Sequence, residues 1–166
     1  MIYLCGSLRN PEIPVIANHL RSITDEEIFD DWFAAGPEAD DSWRDYERAR
    51  GHSLAQALRG HAARHVFDFD TTHLNRSLMV VLVLPAGRSG HLELGYAMGL
   101  VKTTGVLLAG EPDRYDVMYQ FADHVWETPE EMYNSIVTTD PVYANGAYTC
   151  KRCGAVNAIG EICDCI

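Results

Sequence analysis

Short apolar runs that alternate with helical patterns are the feature of this sequence that most constrains its fold. Each run ends at a glycine, a proline or an acidic pair, as expected where a strand leaves a sheet. A continuous apolar run indicates a strand buried on both faces, which is typical of parallel sheets. The runs cover residues 2–5, 27–30, 80–84 and 105–109.

This alternation predicts an α/β fold, an open and mostly parallel (Rossmann- or flavodoxin-like) sheet with helices on both faces. The predicted helices cover residues 11–22, 43–64 with breaks near Gly51 and Gly60, the segment from the loop at 85–90 to about Lys102, 115–122, and a segment from Thr128. Ligands bind such sheets at the carboxyl ends of the strands. The loops to consider begin at Gly6, Asp30, Pro85 and Gly110.

Length and charge limit the classes of function. The chain has 166 residues, which fits one domain over residues 1–140 and a small C-terminal module over 141–166. With 13 Lys and Arg against 24 Asp and Glu, its net charge is −11. Nucleic-acid binding is therefore not expected, because it needs a basic face. A small anionic ligand stays possible, since a pocket can be locally positive.

No apolar stretch approaches the roughly 18 to 20 residues of a membrane span. Met1 leads directly into the first apolar run, without a basic segment of the kind that begins a signal peptide. We therefore expect a cytoplasmic protein without a membrane partner. In that compartment the cysteines are not expected to form disulfides, and Cys5 is predicted to be a buried apolar residue.

The C-terminal cysteines follow the pattern C-x₂-C-x₉-C-x-C. Two thiolate pairs on short turns suit a tetrahedral zinc ion, and the glycine after the second cysteine permits a tight turn. The pattern predicts one structural Zn²⁺ per chain and no organic cofactor; the alternative is four unliganded thiols. The predicted ligands are Cys150, Cys153, Cys163 and Cys165.

The segment from Pro85 into the next helix is the most informative one. Ser89 or Gly90 is predicted to cap this helix, which places Glu93 in the first turn, where the helix dipole stabilises its ionised form. Gly95 and Gly99 share one face and are expected to let the helix lie close to the sheet. An ionised carboxylate here can attack a sugar carbon or hold a ligand hydroxyl. Alternatively, it only complements the dipole.

Two other loops contain candidate binding residues. In the first loop, Gly6 lets backbone N–H groups approach a ligand, and Arg9 can pair with a phosphate or carboxylate. An ordinary turn with a surface arginine is the alternative, and no G-x-G-x-x-G pattern is present. After the second strand, Asp31 can contact a base or ribose while Trp32 stacks on it, or these residues form only a turn.

Residues 3–7, Asp70, residues 89–97 and Lys102 together resemble the nucleoside 2-deoxyribosyltransferase-like family. The resemblance covers roughly residues 1–125 and is most specific from Ser89 to Ala97. It implies that Glu93 is the nucleophile of a covalent glycosyl–enzyme intermediate. It also implies that Asp70 contacts the base and assists proton transfer.

The resemblance further implies a nucleoside or nucleotide ligand and a homo-oligomer with a shared pocket. The implied binding residues are Tyr3, Gly6, Ser7, Arg9, Arg88, Ser89 and Gly90. Arg9, Arg88 and Ser89 suit a nucleotide, because relatives that hydrolyse nucleoside monophosphates hold the phosphate with Ser and Arg. The sequence departs from the family at residues 74–77, which lack a second aspartate, at Arg88, and at the cysteine-rich C-terminus.

The residues and the resemblance together predict an enzyme that cleaves the base–sugar N-glycosidic bond through Glu93, as a transferase or a hydrolase. This chemistry parallels that of retaining glycosidases, with Asp70 protonating the departing base. Two other hypotheses stay open. One is a catalytically silent pocket that binds a nucleotide derivative, and the other is an interaction protein whose zinc module docks a partner.

Overall fold

Five parallel strands form the centre of the fold. The computed structural model describes residues 1–110 and 116–138, and the backbone of residues 147–149 and 156–158. The strands are β1 (Ile2–Cys5), β2 (Ile28–Phe29), β3 (Met79–Val83), β4 (Thr103–Leu107) and β5 (His124–Trp126), in the spatial order β2-β1-β3-β4-β5. Every neighbouring pair in this sheet is parallel. The predicted α/β fold is confirmed.

Helices cover both faces of the sheet. They are α1 (Glu12–Ile23), α2 (Ala39–Ala49), α3 (Leu54–Ala57), α4 (His61–Arg76), α5 (Arg88–Gly99) and α6 (Pro129–Thr138), with 3₁₀ helices at Asp31–Ala35 and Val117–Phe121. One core layer contains apolar side chains of α1 and Met132 of α6. The opposite layer contains Leu74 of α4 and Leu94 and Ala97 of α5.

Alternation along β1 determines which side chains face which layer. Ile2 and Leu4 belong to the α1 and α6 layer, whereas Tyr3 and Cys5 belong to the α4 and α5 layer. This follows from the period of two along a strand. Tyr3 therefore points toward the helices that contain Asp70 and Glu93. The buried position predicted for Cys5 is confirmed, since its exposed fraction is 0%.

The sheet order creates a switch point between β1 and β3. From β1 the chain crosses to β2 on one side, whereas β3 lies on the other side and pairs Cys5 with Leu82 at the carboxyl end. Crevices at such points are the usual ligand sites of open parallel sheets. The loops that follow β1 and β3 are therefore neighbours.

Two predicted helical segments differ from the structure. The segment 43–64 is three helices, which end and begin near Gly51 and Gly60 as predicted, but α4 continues to Arg76. Asp70 therefore lies within a helix and not at a helix start, because no glycine or proline interrupts α4. The segment 115–122 contains a 3₁₀ helix, which Asp116 caps through its bond with the Met118 N–H at 3.0 Å.

The C-terminal segment is described only in part. Backbone at β6 (Ala147–Thr149) and β7 (Val156–Ala158) forms an antiparallel pair. All four cysteines predicted to bind zinc, Cys150, Cys153, Cys163 and Cys165, lie outside the described residues. Within the described ranges, no helix combines the length and apolar character needed to cross a bilayer.

Candidate active site

The loops after β1 and β3 contact each other directly through two glycines. A Cβ at Gly90 would lie 3.2 Å from both the N and the O of Gly6, and 3.0 Å from Cδ1 of Leu82. Backbone atoms cannot yield as a flexible side chain can, so α5 approaches the first loop only because residue 90 is glycine. The sequence predicted close packing at Gly95 and Gly99 instead, and this was wrong: both have open space around a built Cβ.

Helix α5 begins earlier than predicted. Gly87 is the N-cap in extended backbone, and Arg88 is the first helical residue. Glu93 therefore lies in the second turn, and the prediction that Ser89 or Gly90 caps the helix was wrong. Because the helix dipole acts mainly within the first turn, it does not hold Glu93 ionised.

Burial controls the protonation of both candidate carboxyl groups. Burial raises the pKa of Glu93 to about 7, and the nearby charge of Asp70 raises it further in the same direction. Burial also raises the pKa of Asp70 to about 6, against a lowering effect from His73. Two interacting carboxyl groups titrate as a pair. Near neutral pH this pair holds about one proton.

Tyr3 completes a buried polar cluster with the two acids. Its side chain is fully buried, and its hydroxyl has no hydrogen-bond partner among the described residues. Burial, followed by the charges of Glu93 and Asp70, raises the pKa of Tyr3. Oδ1 of Asp70 is likewise buried without a described partner. Unpartnered buried polar atoms of this kind are typical of sites that receive a ligand.

Aromatic packing holds Tyr3 and α4 in place. The Tyr3 ring stacks on Phe29 at 5.0 Å, and Phe29 stacks on His73 at 4.0 Å. Nδ1 of His73 donates a hydrogen bond to the carbonyl oxygen of Phe69, 2.9 Å away. These contacts fix the turn of α4 that contains Asp70. Sequence reasoning missed His73, although its position three residues after Asp70 places it near that acid on a helix.

Tyr96 and Lys102 fix α4 relative to α5. The Tyr96 hydroxyl donates to Oδ1 of Asn75 at 3.0 Å. Nζ of Lys102 donates to the carbonyl oxygens of Asn75 (2.9 Å) and Ser77 (2.5 Å), at the end of α4. Partial burial lowers the pKa of Lys102. Both residues of the resemblance therefore hold the helices of Asp70 and Glu93 together without entering the cluster themselves.

In the first loop, the candidate binding groups are engaged within the protein. Nη2 of Arg9 forms an ion pair with Oδ2 of Asp41, 2.7 Å away. Oγ of Ser7 accepts a hydrogen bond from the backbone N–H of Arg9 at 3.2 Å. Asn10, which sequence reasoning missed, is buried and donates from Nδ2 to the carbonyl oxygen of Pro85, 3.4 Å away. Asn10 thereby joins the two loops.

The acidic pair and tryptophan after β2 have structural contacts. Asp30 forms an ion pair with Arg21 of α1. Nε1 of Trp32 donates to the carbonyl oxygen of Leu4 at 2.8 Å, so this half-buried ring anchors the chain beside the end of β1. Asp31 is exposed. The predicted base stacking by Trp32 and base or ribose contact by Asp31 stay predictions.

The start of α5 borders an open depression on the protein surface. Arg88 and Ser89 are exposed, and Arg88 and His91 belong to the lining. Nδ1 of His91 donates to the carbonyl oxygen of Gly87 at 2.7 Å, so in the neutral ring Nε2 accepts from the Tyr119 hydroxyl, 3.0 Å away. The depression is lined by Ala86, Gly87, Arg88, His91 and Leu92.

The described part of the chain contains no cluster of three or more His, Cys, Asp or Glu side chains that could hold a metal ion. The acids of the site therefore stand as a proton-transfer and nucleophilic pair. The zinc prediction concerns residues beyond the described ranges.

Comparison with known proteins gives a partial likeness only. No family model matches the chain. Over 70 residues, the chain is 36% identical to the GMP synthases [glutamine-hydrolyzing] of Streptococcus equi subsp. equi and of Streptococcus equi subsp. zooepidemicus. The matched segment is 42% of this chain but 14% of each of those proteins.

Proposed function

We propose that this protein cleaves the N-glycosidic bond of a nucleoside or nucleotide, with Glu93 as the nucleophile and Asp70 as the general acid. The observation that supports this most is the buried, mutually interacting carboxyl pair beside the unpartnered Tyr3 hydroxyl. The cluster lies near the β1–β3 switch point. The resemblance implies the same roles for the same two acids. The match to GMP synthases does not enter the proposal, because the chain spans 14% of their length.

The proposed reaction proceeds in two steps. The Glu93 carboxylate attacks C1′, the C1′–N bond breaks, and its electron pair stays on the base nitrogen, which takes a proton from the Asp70 carboxylic acid. Water, or a second base in a transferase, then attacks C1′. Asp70 accepts the proton of that nucleophile, and Glu93 is released as a carboxylate. The configuration at C1′ is retained.

The single proton of the pair must lie on Asp70 when the reaction begins. In the free protein Glu93 has the higher pKa, about 7 against about 6. As the bond breaks, positive charge develops at C1′ next to Glu93, and an adjacent positive charge favours the ionised form of a carboxyl group. The proton is then left to Asp70, where the departing base needs it.

Chromatography for free nucleobase tests the proposal. The protein is incubated with a panel of nucleosides and their 5′-monophosphates, with and without an acceptor base. Glu93→Gln is the test variant, and Glu38→Gln, an exposed glutamate at the start of α2, is its matched control.

We expect base release that is lost in Glu93→Gln and kept in Glu38→Gln. Release that needs an acceptor indicates a transferase, and release without one indicates a hydrolase. If folded protein releases no base from any compound, the proposal fails and the silent binding pocket replaces it.

We also propose that the four C-terminal cysteines hold one structural zinc ion. Two observations support this: the C-x₂-C-x₉-C-x-C spacing, and the position of Cys150 and Cys153 in the connection between the paired strands β6 and β7. Four thiolates would fill a tetrahedral zinc site and leave no open position for chemistry. This zinc would stabilise the C-terminal module.

We propose further that the protein self-associates through the outer face of α5, in the cytoplasm. Leu92 is 75% exposed, and Tyr96 and Leu100 are each 46% exposed on this helix. The face has no described charged group apart from the ends of the helix, which suits contact between two copies of a chain of net charge −11. Sedimentation of wild type and Leu92→Glu tests this: a dimer is expected only for wild type, and a monomeric wild type contradicts it.

A further inference from the structure

An ion-pair cluster on α2 occupies the arginine that the sequence offers to an anionic ligand. Nη2 of Arg9 lies 2.7 Å from Oδ2 of Asp41, and the other oxygen, Oδ1, lies 2.7 Å from Nη1 of Arg44. Arg44 also pairs with Asp45 through Nε at 3.0 Å. Both oxygens of Asp41 are therefore engaged, and the two cations of the cluster are balanced by two anions.

The backbone of the first loop contributes to the same arrangement. Ser7 Oγ accepts the N–H of Arg9 at 3.2 Å, and the N–H of Asn10 donates to the carbonyl oxygen of Ser7 at 2.9 Å. This turn directs Arg9 away from the loop and toward α2. A phosphate that approached Arg9 would have to displace Asp41 or lie beside its negative charge.

We infer that Asp41 is a specificity-determining residue that keeps Arg9 from a 5′-phosphate, so that the substrate class is the neutral nucleoside. This inference rests on the proposed function. It is supported by the two-oxygen engagement of Asp41 and by the net charge of −11, which adds repulsion toward a phosphate dianion. Arg88, exposed at the start of α5, is the cation through which a monophosphate would bind if the inference were wrong.

The test compares one nucleoside with its own 5′-monophosphate in the full-length protein. Asp41→Asn removes the negative charge and keeps the shape of the side chain. Its matched control is Asp45→Asn, which removes the charge that pairs with Arg44 but not with Arg9. The ratio of kcat/KM for the monophosphate to that for the nucleoside is measured for each, with circular dichroism to confirm folding.

For wild type we expect a ratio below one. In Asp41→Asn the ratio should rise about threefold to tenfold, because Arg9 becomes available and its ion pair is partly exposed. The ratio should stay unchanged in Asp45→Asn. The double variant Arg9→Gln/Asp41→Asn should lose the gain, since Arg9 is the group that Asp41 masks.

A wild-type preference for the monophosphate overturns the inference, and so does an unchanged ratio in folded Asp41→Asn. If wild type releases base from neither compound, the proposed function fails, and the ratio of the two binding constants, measured by calorimetry, tests Asp41 separately. Binding of neither compound overturns both.

Discussion

Glu93 illustrates how burial can reverse an expectation based on helix position. The sequence predicted a first-turn glutamate kept ionised by the helix dipole, yet the residue lies in the second turn with a pKa raised to about 7. Residue identity and spacing identified Glu93 and, through the resemblance, Asp70 and Tyr3. The depth at which they are buried depends on packing among β1, α4 and α5, which no local pattern contains.

The raised pKa of Glu93 makes a prediction about stability. Ionisation is opposed in the folded state, whereas in the unfolded chain Glu93 ionises near its ordinary pKa of 4.5. Folding stability should therefore fall as pH rises from about 4.5 to 7 and stay lowered above that. Glu93→Gln removes this cost, so it should raise the free energy of unfolding at pH 8 by about 2 to 3 kcal/mol at most.

Urea unfolding at pH 4.5 and pH 8 measures this effect. At pH 4.5 wild type and Glu93→Gln should be nearly equal, because Glu93 is protonated in the folded protein. A Glu93→Gln variant that is less stable than wild type at pH 8, or equally shifted at both pH values, would show that burial does not oppose the charge.

At the scale of elements, apolar runs predicted β1 to β4 because each is short, continuous and bounded by a loop residue. They did not predict β5, whose sequence His-Val-Trp is only three residues long. The length of α4 was also missed, since its Asp, His and Thr residues have modest helix propensity. Hydroxyls of Thr71 and Thr72 bond backbone carbonyls of the preceding turn, each at 2.6 Å.

Contacts between elements could not be read from the sequence at all. Asp41 reaches Arg9 across 32 positions of sequence. The close glycine contact of α5 lies at Gly90, not at Gly95 or Gly99, because the start of the helix faces the first loop. Glycine spacing predicts that a helix has a smooth face but not what the face contacts.

The contact at Gly90 gives a prediction with a matched control on the same helix. Gly90→Ala should destabilise the protein by about 1 to 3 kcal/mol, since the methyl group meets backbone atoms of Gly6 that cannot move freely. Gly95→Ala, which has open space, should stabilise by about 0.5 to 1 kcal/mol through helix propensity. Both are measured by urea unfolding. A shift of the same sign in both variants would contradict the glycine contact.

At the scale of the whole molecule, the chain joins an acidic α/β domain to a cysteine-rich C-terminal segment. The pocket-bearing part depends on contacts among β1, β3, α4 and α5, none of which involves the residues after 140. Composition predicted this separation, because four of the five cysteines follow residue 149. The two parts should therefore respond independently to metal removal.

Metal analysis tests the C-terminal part. Protein purified without chelator should contain about one zinc per chain, and Cys150→Ser/Cys153→Ser should reduce this to background. Thermal unfolding of the α/β domain should change little, because a structural zinc stabilises mainly the segment that holds it. Less than about 0.2 zinc per wild-type chain would refute a tetrahedral Cys₄ site, which holds its ion tightly.

The central claim is a covalent bond between Glu93 and the sugar, and mass spectrometry tests it most directly. Protein is quenched in acid during turnover of the nucleoside that releases base fastest, then digested and analysed as peptides. We predict a mass increase of one sugar unit on the peptide that contains Glu93, present in Glu38→Gln and absent in Glu93→Gln. Base release that continues undiminished in Glu93→Gln, without any adduct on wild type, would contradict the account.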